Sequence, residues 1–252
     1  MAINVNTVYQ TVLSILNKEQ RGYMTPDEFN KVGTQVQLEI FEKYFEDLNQ
    51  QARVPQSNLN YADRLENIDE KVAIFKTFGN ASYNNTSPTP TNYFTLPTTD
   101  SYGRTVNLYR IGEVTYKNEV LIQRLQRNDF YTSEKSKLTK ATETFPTYLY
   151  ENNYLFIKPN SIQSNVQVEY VRKPSNVIWG FSVGTLGQYL YNDLEYNAAT
   201  EPTGSINFEL HESEQSEVIL RILQYAGIII RDPQIVQAAA QQVQMDEINE
   251  KS

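Results

Sequence analysis

The chain contains no cysteine and a single histidine, His211. Zinc sites of thiolate and imidazole, cysteine nucleophiles and disulfide frameworks are thereby excluded. Lack of cysteine marks no compartment, since intracellular proteins, extracellular proteins and virus particles all manage without disulfides. It leaves packing or assembly as the source of stability. Met1 to Asn6 hold no basic region leading into a hydrophobic stretch, so no secretory signal is expected. No apolar run approaches the ~20 residues needed to cross a bilayer, and a soluble protein is expected. A basic stripe of the kind that wraps DNA is missing as well.

Patterns that carry chemistry are equally sparse. There is no Gly-x-Ser-x-Gly elbow, and a Ser-His-Asp triad would have only His211 to use. Gly112, Gly180, Gly184 and Gly187 form no phosphate-binding fingerprint. His211 stands in Glu209-Leu210-His211-Glu212, where neighbours at a helix start do not converge on one point, so it reads as a structural or surface residue. The 30 acidic residues make a carboxylate pair for glycoside hydrolysis uninformative, because most lie on expected solvent faces, as Glu39, Glu42 and Glu46 do. No catalytic residue, metal or cofactor is assigned.

What is present is aromatic and acidic. Eighteen tyrosines exceed what a disordered chain carries, and 252 residues suffice for one large domain or two small ones; two structural regions are expected. The net charge of −8 is unevenly spread. Residues 1–78 hold 8 basic and 11 acidic side chains, 79–180 hold 11 and 8, and 181–252 hold 3 and 11. The excess thus sits in the C-terminal part. An acidic surface near DNA favours weak contact and easy sliding.

Apolar spacing at Val5, Val8, Val12, Ile15 and Leu16 predicts a helix over 6–18, broken at Arg21-Gly22. The next start is the strongest local signal: Thr25 as N-cap, Pro26 at the first helical position, and Glu28 closing a capping box. Met24 and Phe29 stand where a hydrophobic staple belongs. Phe29, Val32, Val36, Ile40, Phe41, Phe45 and Leu48 line one face, and Glu39 with Lys43 makes a favourable pair on the other. The helix is expected to reach Val54, which Pro55 pushes out of helical conformation, a length of about 42 Å.

The middle of the chain reads as β-structure. A short helix over 60–69 leads into an alternating strand at 71–77, and 79–92 reads as an exposed loop. Strands are expected at 93–96, 105–116 and 119–125, with a hairpin at Lys117-Asn118. Residues 128–141 read as a short helix plus loop. A second hairpin joins 148–150 to 154–157 through Asn152-Asn153, and 166–171 alternates cleanly before Pro174. A Gly- and Tyr-containing link follows Trp179, then an Asn-rich loop over 192–204. The strand tyrosines suit a half-buried sheet or a subunit interface better than a carbohydrate- or base-stacking surface. Arg124, Arg127, Lys135, Lys137 and Lys140 make a weak basic patch, diluted by Asp129, Glu134 and Glu143, and read as a solvated face.

Helical pattern resumes near Ser213, with Glu214 and Glu217 in the first turn. Val218 to Ile230 is apolar nearly all round, so burial on several sides is expected. Asp232-Pro233 starts a last helix carrying Ile235, Val236, Ala239, Val243 and Ile248. Few large apolar side chains anchor it. Ile228, Ile229, Ile230, Pro233, Ile235, Val236 and Val243 are the expected partner interface, with simple bundle core as the equally weighted alternative; the two are compatible if the helix is core while its C-terminal extension docks.

Three stretches carry a family resemblance. The first is Thr7-Val8-Tyr9-Gln10 through Gly22-Tyr23-Met24-Thr25-Pro26-Asp27-Glu28-Phe29-Asn30, with the aromatic helix ending Phe41-Glu42-Lys43-Tyr44-Phe45-Glu46-Asp47-Leu48. The second is Phe145-Pro146-Thr147-Tyr148-Leu149-Tyr150 to Ile157-Lys158-Pro159, with Tyr170-Val171-Arg172-Lys173-Pro174. The third is Phe208-Glu209-Leu210-His211, Ile222-Leu223-Gln224-Tyr225-Ala226-Gly227-Ile228 and Asp232-Pro233. In these the chain resembles the ring proteins (adaptors, tail-tubular-like) of the head-to-tail connector of short-tailed, crAss-like phages.

The resemblance implies a ring of many copies, commonly twelve in that family, beneath the portal in the virion, with DNA passing non-specifically through the bore. It implies portal and neighbouring ring or tail proteins as partners, and a C-terminal grip on the portal from Asp232 onward. One branch of the family is credited with cell-wall hydrolysis, and no residue here takes that activity over. The expected fold is α+β: a helical bundle of 1–70 and 205–252 bracketing an antiparallel β-sheet or small β-barrel of 71–204. The rival readings are a tail-associated wall hydrolase and a receptor- or carbohydrate-binding tail module.

Overall fold

The computed structural model describes residues 2–18, 23–51, 64–86, 92–99, 107–230, 237 and 240–245, with backbone alone at 18, 48–51, 64–65 and 228–230. The fold is α+β, and the chain divides into two compact units. Unit 1 comprises Met1–Ile74 and Pro174–Ser252, and unit 2 comprises Phe75–Lys173. The chain thus returns to unit 1 at Pro174, whereas the sequence reading places the return at 205. The reason is polar: residues 175–179 are hydrogen-bonded along the helix Pro26–Gln51.

In unit 1, α1 (Val5–Lys18) starts where the Asn4 side chain accepts the Thr7 N–H at 3.0 Å. Val5, Val8, Val12 and Leu16 form its buried stripe, while Ile15 lies exposed. The expected capping box opens α2 (Pro26–Gln51). Thr25 N–H donates to Glu28 Oε2 at 2.9 Å, and Glu28 N–H returns to Thr25 Oγ1 at 3.3 Å. The Thr25 N–H and the Thr25 hydroxyl, which also donates to Glu28 Oε2 at 2.8 Å, hold the Glu28 carboxyl below its ordinary pKa. Both staple residues, Met24 and Phe29, are buried. The helix is described as far as Gln51, and Val54 lies outside the described residues.

The helix α3 runs Arg64–Ala73, so Lys71 to Ala73, expected in a strand, are helical. Two tertiary contacts favour that choice: Val72 is buried, and Lys71 Nζ lies 2.5 Å from Glu214 Oε1. Glu214 belongs to a 3-10 turn, Glu212–Glu214, that leads into α5 (Gln215–Ile230). Val218, Ile222 and Ala226 make its buried stripe, joined by Leu223, while Ile219 and Leu220 are half-buried. Of the expected last helix, residues 237 and 240–245 are helical.

Unit 2 is built from two sheets. One has the order β1-β9-β4-β5: β1 Lys76–Asn80, β9 Val166–Arg172, β4 Leu108–Tyr116 and β5 Val120–Leu121. The other has the order β2-β3-β8-β7-β6: β2 Ser82–Asn84, β3 Tyr93–Thr95, β8 Tyr154–Lys158, β7 Thr147–Glu151 and β6 Gln123–Arg124. The segment β1-Ala81-β2 passes from one sheet to the other, and so does β5-Ile122-β6. Both seams are thus closed by single bent strands. The β6–β7 pair is parallel, so the unit is not purely antiparallel.

The expected loop over 79–92 is in part strand, because Tyr83 packs on Phe94 with ring centroids 5.3 Å apart and β1 pairs along β9. Both hairpins form as read, with positive φ at Lys117, Asn118, Asn152 and Asn153; Asn152-Asn153 is a two-residue loop between Glu151 and Tyr154, whereas Tyr116 pairs with Val120 and leaves Glu119 as a third loop residue. A short helix α4 (Arg127–Ser133) precedes β7. Alternation on β9 sends Val166, Val168 and Tyr170 inward against Leu155, Ile157, Phe94 and Ile162. Each such aliphatic side chain contributes about 1.5–3 kcal/mol of burial.

Candidate partner interface

A polar ladder along α2 organises unit 1. Asn30, Thr34 and Gln37 recur at helical spacing and meet the extended segment 175–179. Asn30 Oδ1 accepts the Trp179 N–H at 2.7 Å and its amide donates back to the Trp179 carbonyl at 3.4 Å. Thr34 Oγ1 accepts the Val177 N–H at 3.1 Å. Gln37 Nε2 donates to the Ser175 carbonyl at 2.7 Å, and its Oε1 accepts the Glu209 N–H at 2.8 Å. Gln37 is fully buried, and these bonds satisfy both polar ends of its amide, as a buried polar side chain requires.

Beyond Trp179 the chain forms a hairpin that the sequence reading took for a link: β10 (Phe181–Val183) and β11 (Tyr189–Tyr191). An isolated two-stranded hairpin is marginal. This one is rooted by rings. Phe29 and Tyr9 lie 4.7 Å apart, Tyr9 and Trp179 4.6 Å, and Trp179 stacks on Tyr191 at 5.4 Å and Phe181 at 5.9 Å. Trp179 Nε1 also donates to Asn6 Oδ1 at 3.0 Å. Burial raises the hydroxyl pKa of both Tyr9 and Tyr191, and the Tyr23 hydroxyl adds to the rise at Tyr9.

The root admits little else. A Cβ on Gly180 would stand 2.2 Å from the Thr203 carbonyl oxygen, and one on Gly204 would stand 2.6 Å from the Tyr196 nitrogen. Glycine lets these backbones touch. In contrast, the hairpin itself is bare: Val183, Leu186 and Leu190 are exposed, Leu186 to 90%, and Leu194 is exposed on the loop that follows β11. The sequence signal was there, in Phe-Ser-Val and Tyr-Leu-Tyr on either side of Gly184 and Gly187.

A charge network ties α2 to α5. Lys43 Nζ lies 3.4 Å from Glu217 Oε1, and Arg221 donates to the same oxygen at 2.8 Å. Burial pushes the Glu217 carboxyl up, but the Lys43 and Arg221 charges together outweigh it and hold its pKa below the ordinary value. Glu39 accepts from the Tyr225 hydroxyl, and that bond, with burial, raises the tyrosine pKa. Tertiary partners thus take up both members of the expected Glu39–Lys43 pair.

The expected interface residues fall mostly beyond this geometry. Pro233, Ile235 and Val236 lie outside the described residues, as do the side chains of Ile228, Ile229 and Ile230, whose backbone is the last described part of α5. Val243 is buried, at 9% exposure. His211 caps the 3-10 turn: its Nδ1 accepts the Ser213 N–H at 3.3 Å. Among the described residues no group of three or more His, Asp or Glu could hold a metal ion, and no helix is long and apolar enough to cross a membrane.

In unit 2 the strand tyrosines are buried or half-buried among the described residues, with Tyr148, Tyr170 and Tyr93 in the interior. Arg127 pairs with Glu151 at 3.5 Å, and Arg124 lies over the Tyr150 ring. Lys135, Lys137 and Lys140 stand exposed on the loop between α4 and β7. On that loop Leu138 is 97% exposed and Phe145 76%. Comparison with protein-family models and with curated proteins gives no match.

Proposed function

We propose that this chain is a non-enzymatic ring subunit of a phage head-to-tail connector, joining the portal to the tail and letting DNA pass through the bore. The observation that carries the reading is the β10–β11 hairpin. It is anchored by Trp179 in its own unit, and it holds out exposed Val183, Leu186 and Leu190. Apolar side chains held out on an anchored arm suit assembly. The resemblance of the three quoted stretches supplies the particular assembly, and the acidic C-terminal part suits DNA that must slide and not bind.

Electron microscopy of purified virions, together with native mass spectrometry of the chain mixed with the cognate portal, tests the proposal. A closed ring of this chain at the head-tail junction is the expected result. A chain that stays monomeric beside the portal and is absent from virions overturns it.

A further inference from the structure

The geometry points to the neighbour that the hairpin arm engages: the basic, apolar loop between α4 and β7 of a second copy of this chain. The inference deepens the ring reading and rests on it for closure of the assembly, although the contact itself is testable alone. The two surfaces are matched in kind. The hairpin and its following loop, residues 181–204, carry Asp193, Glu195 and Glu201 and no basic residue. Asp193 and Glu195 are exposed beside Leu194.

The other surface has the opposite sign. Lys135, Lys137 and Lys140 are exposed around Leu138, the most exposed large apolar side chain among the described residues. The loop is held in shape by Lys140 N–H to the Ser136 carbonyl at 3.0 Å and Thr139 Oγ1 to the Ser133 carbonyl at 3.1 Å. The acids of the loop flank this tip: residues 135–140 hold three lysines and no acid, with half-buried Glu134 before them and Glu143, which accepts from Ser161 Oγ at 2.8 Å, after them. An isolated exposed leucine is ordinary. Two apolar patches of opposite charge on one chain are different, because copy-to-copy docking covers both and brings unlike charges together. Since the patches differ, the contact is head-to-tail, the type that propagates into rings.

The test is a charge swap in the full chain, read by analytical ultracentrifugation with circular dichroism as the folding check. All substituted residues are exposed, so the fold tolerates the changes. A reversed loop (Lys135→Glu, Lys137→Glu, Lys140→Glu) and a reversed arm (Asp193→Lys, Glu195→Lys) should each weaken self-association roughly 100-fold. Mixed in equal amounts they should associate again, because each acidic surface then meets a basic one. Misfolding gives no such rescue. Leu186→Cys and Leu138→Cys chains, mixed and mildly oxidised, should cross-link to each other, against a parent that has no cysteine.

Wild-type association that both reversals leave unchanged overturns this contact and leaves the ring reading standing. Loss of association in both variants with no rescue on mixing also overturns it. A chain that forms rings in virions while Leu186→Cys never cross-links to Leu138→Cys does the same. A wild-type chain that neither self-associates nor enters virions sinks both.

Discussion

Asn30 pairs with Trp179 as one strand pairs with another: its side-chain oxygen accepts the tryptophan N–H at 2.7 Å and its amide donates to the same residue's carbonyl at 3.4 Å. A helix has no free backbone groups to offer a neighbouring extended chain. The side chains of Asn30, Thr34 and Gln37 supply them instead. The consequence is that residues 175–179 lie along α2, and the aromatic root of the β10–β11 hairpin is fixed in unit 1.

Replacing Gln37 by Leu removes the partner of two part-buried backbone groups, the Ser175 carbonyl and the Glu209 N–H. The expected cost is about 2–4 kcal/mol. Asn30→Ala, at a half-buried position, should cost less. Urea unfolding monitored by circular dichroism checks both, with the midpoint lowered and the slope unchanged. A Gln37→Leu chain as stable as the parent would show that the ladder is dispensable.

Gly180→Ala should destabilise by about 1–3 kcal/mol, since its Cβ would meet the Thr203 carbonyl and neither backbone has room to yield. Trp179 is the sole tryptophan, so its fluorescence reports directly on this root. A shift towards longer emission wavelength in the variant is expected as the stacked rings part. Gly187→Ala is the contrast: nothing lies within 4 Å of that Cβ, and its cost is the positive φ of 80° alone.

Acid should weaken the link between α2 and α5. The pKa of Glu217 is lower in the folded chain than in the unfolded one, so its contribution is complete above the ordinary glutamate value of about 4.3 and is lost as pH falls through the lowered folded value. Glu217→Gln should therefore destabilise the chain at pH 7, by about 1–3 kcal/mol, and by less as the pH drops below 4. Thermal unfolding of both chains from pH 7 to pH 3 measures this; parallel curves would exclude Glu217 as the source.

Thr25→Ala removes the side-chain half of the capping box at α2 and should cost about 1 kcal/mol. Thr25→Ser, which keeps the hydroxyl, should recover most of it. The pair of midpoints in urea distinguishes a lost cap from lost packing.

How much of this was legible in the sequence follows the range of each interaction. The capping box, the Asn-containing turns and the period-2 run of β9 depend on neighbours within a few residues, and each was read in place. The α3–β1 boundary was not, because Lys71 finds Glu214 and Val72 finds a core, both set by residues far along the chain. The hairpin after Trp179 escaped for a related reason: three-residue strands carry too little periodicity, and their stability comes from rings contributed by α1 and α2. The expected interface at Pro233, Ile235 and Val236 lies outside the described residues, whereas the exposed arm and the Leu138 loop emerged only from burial.

The sequence by itself determined the α+β class, the helix starts, the turns and the absence of thiol chemistry, because these follow from residue type and short spacing. Only the tertiary structure decided where the chain leaves unit 2, which glutamine is buried to feed a distant backbone, and which leucines are left uncovered. Those outcomes depend on which distant surfaces meet, and a leucine in a pattern looks the same whether a core or a partner is to cover it.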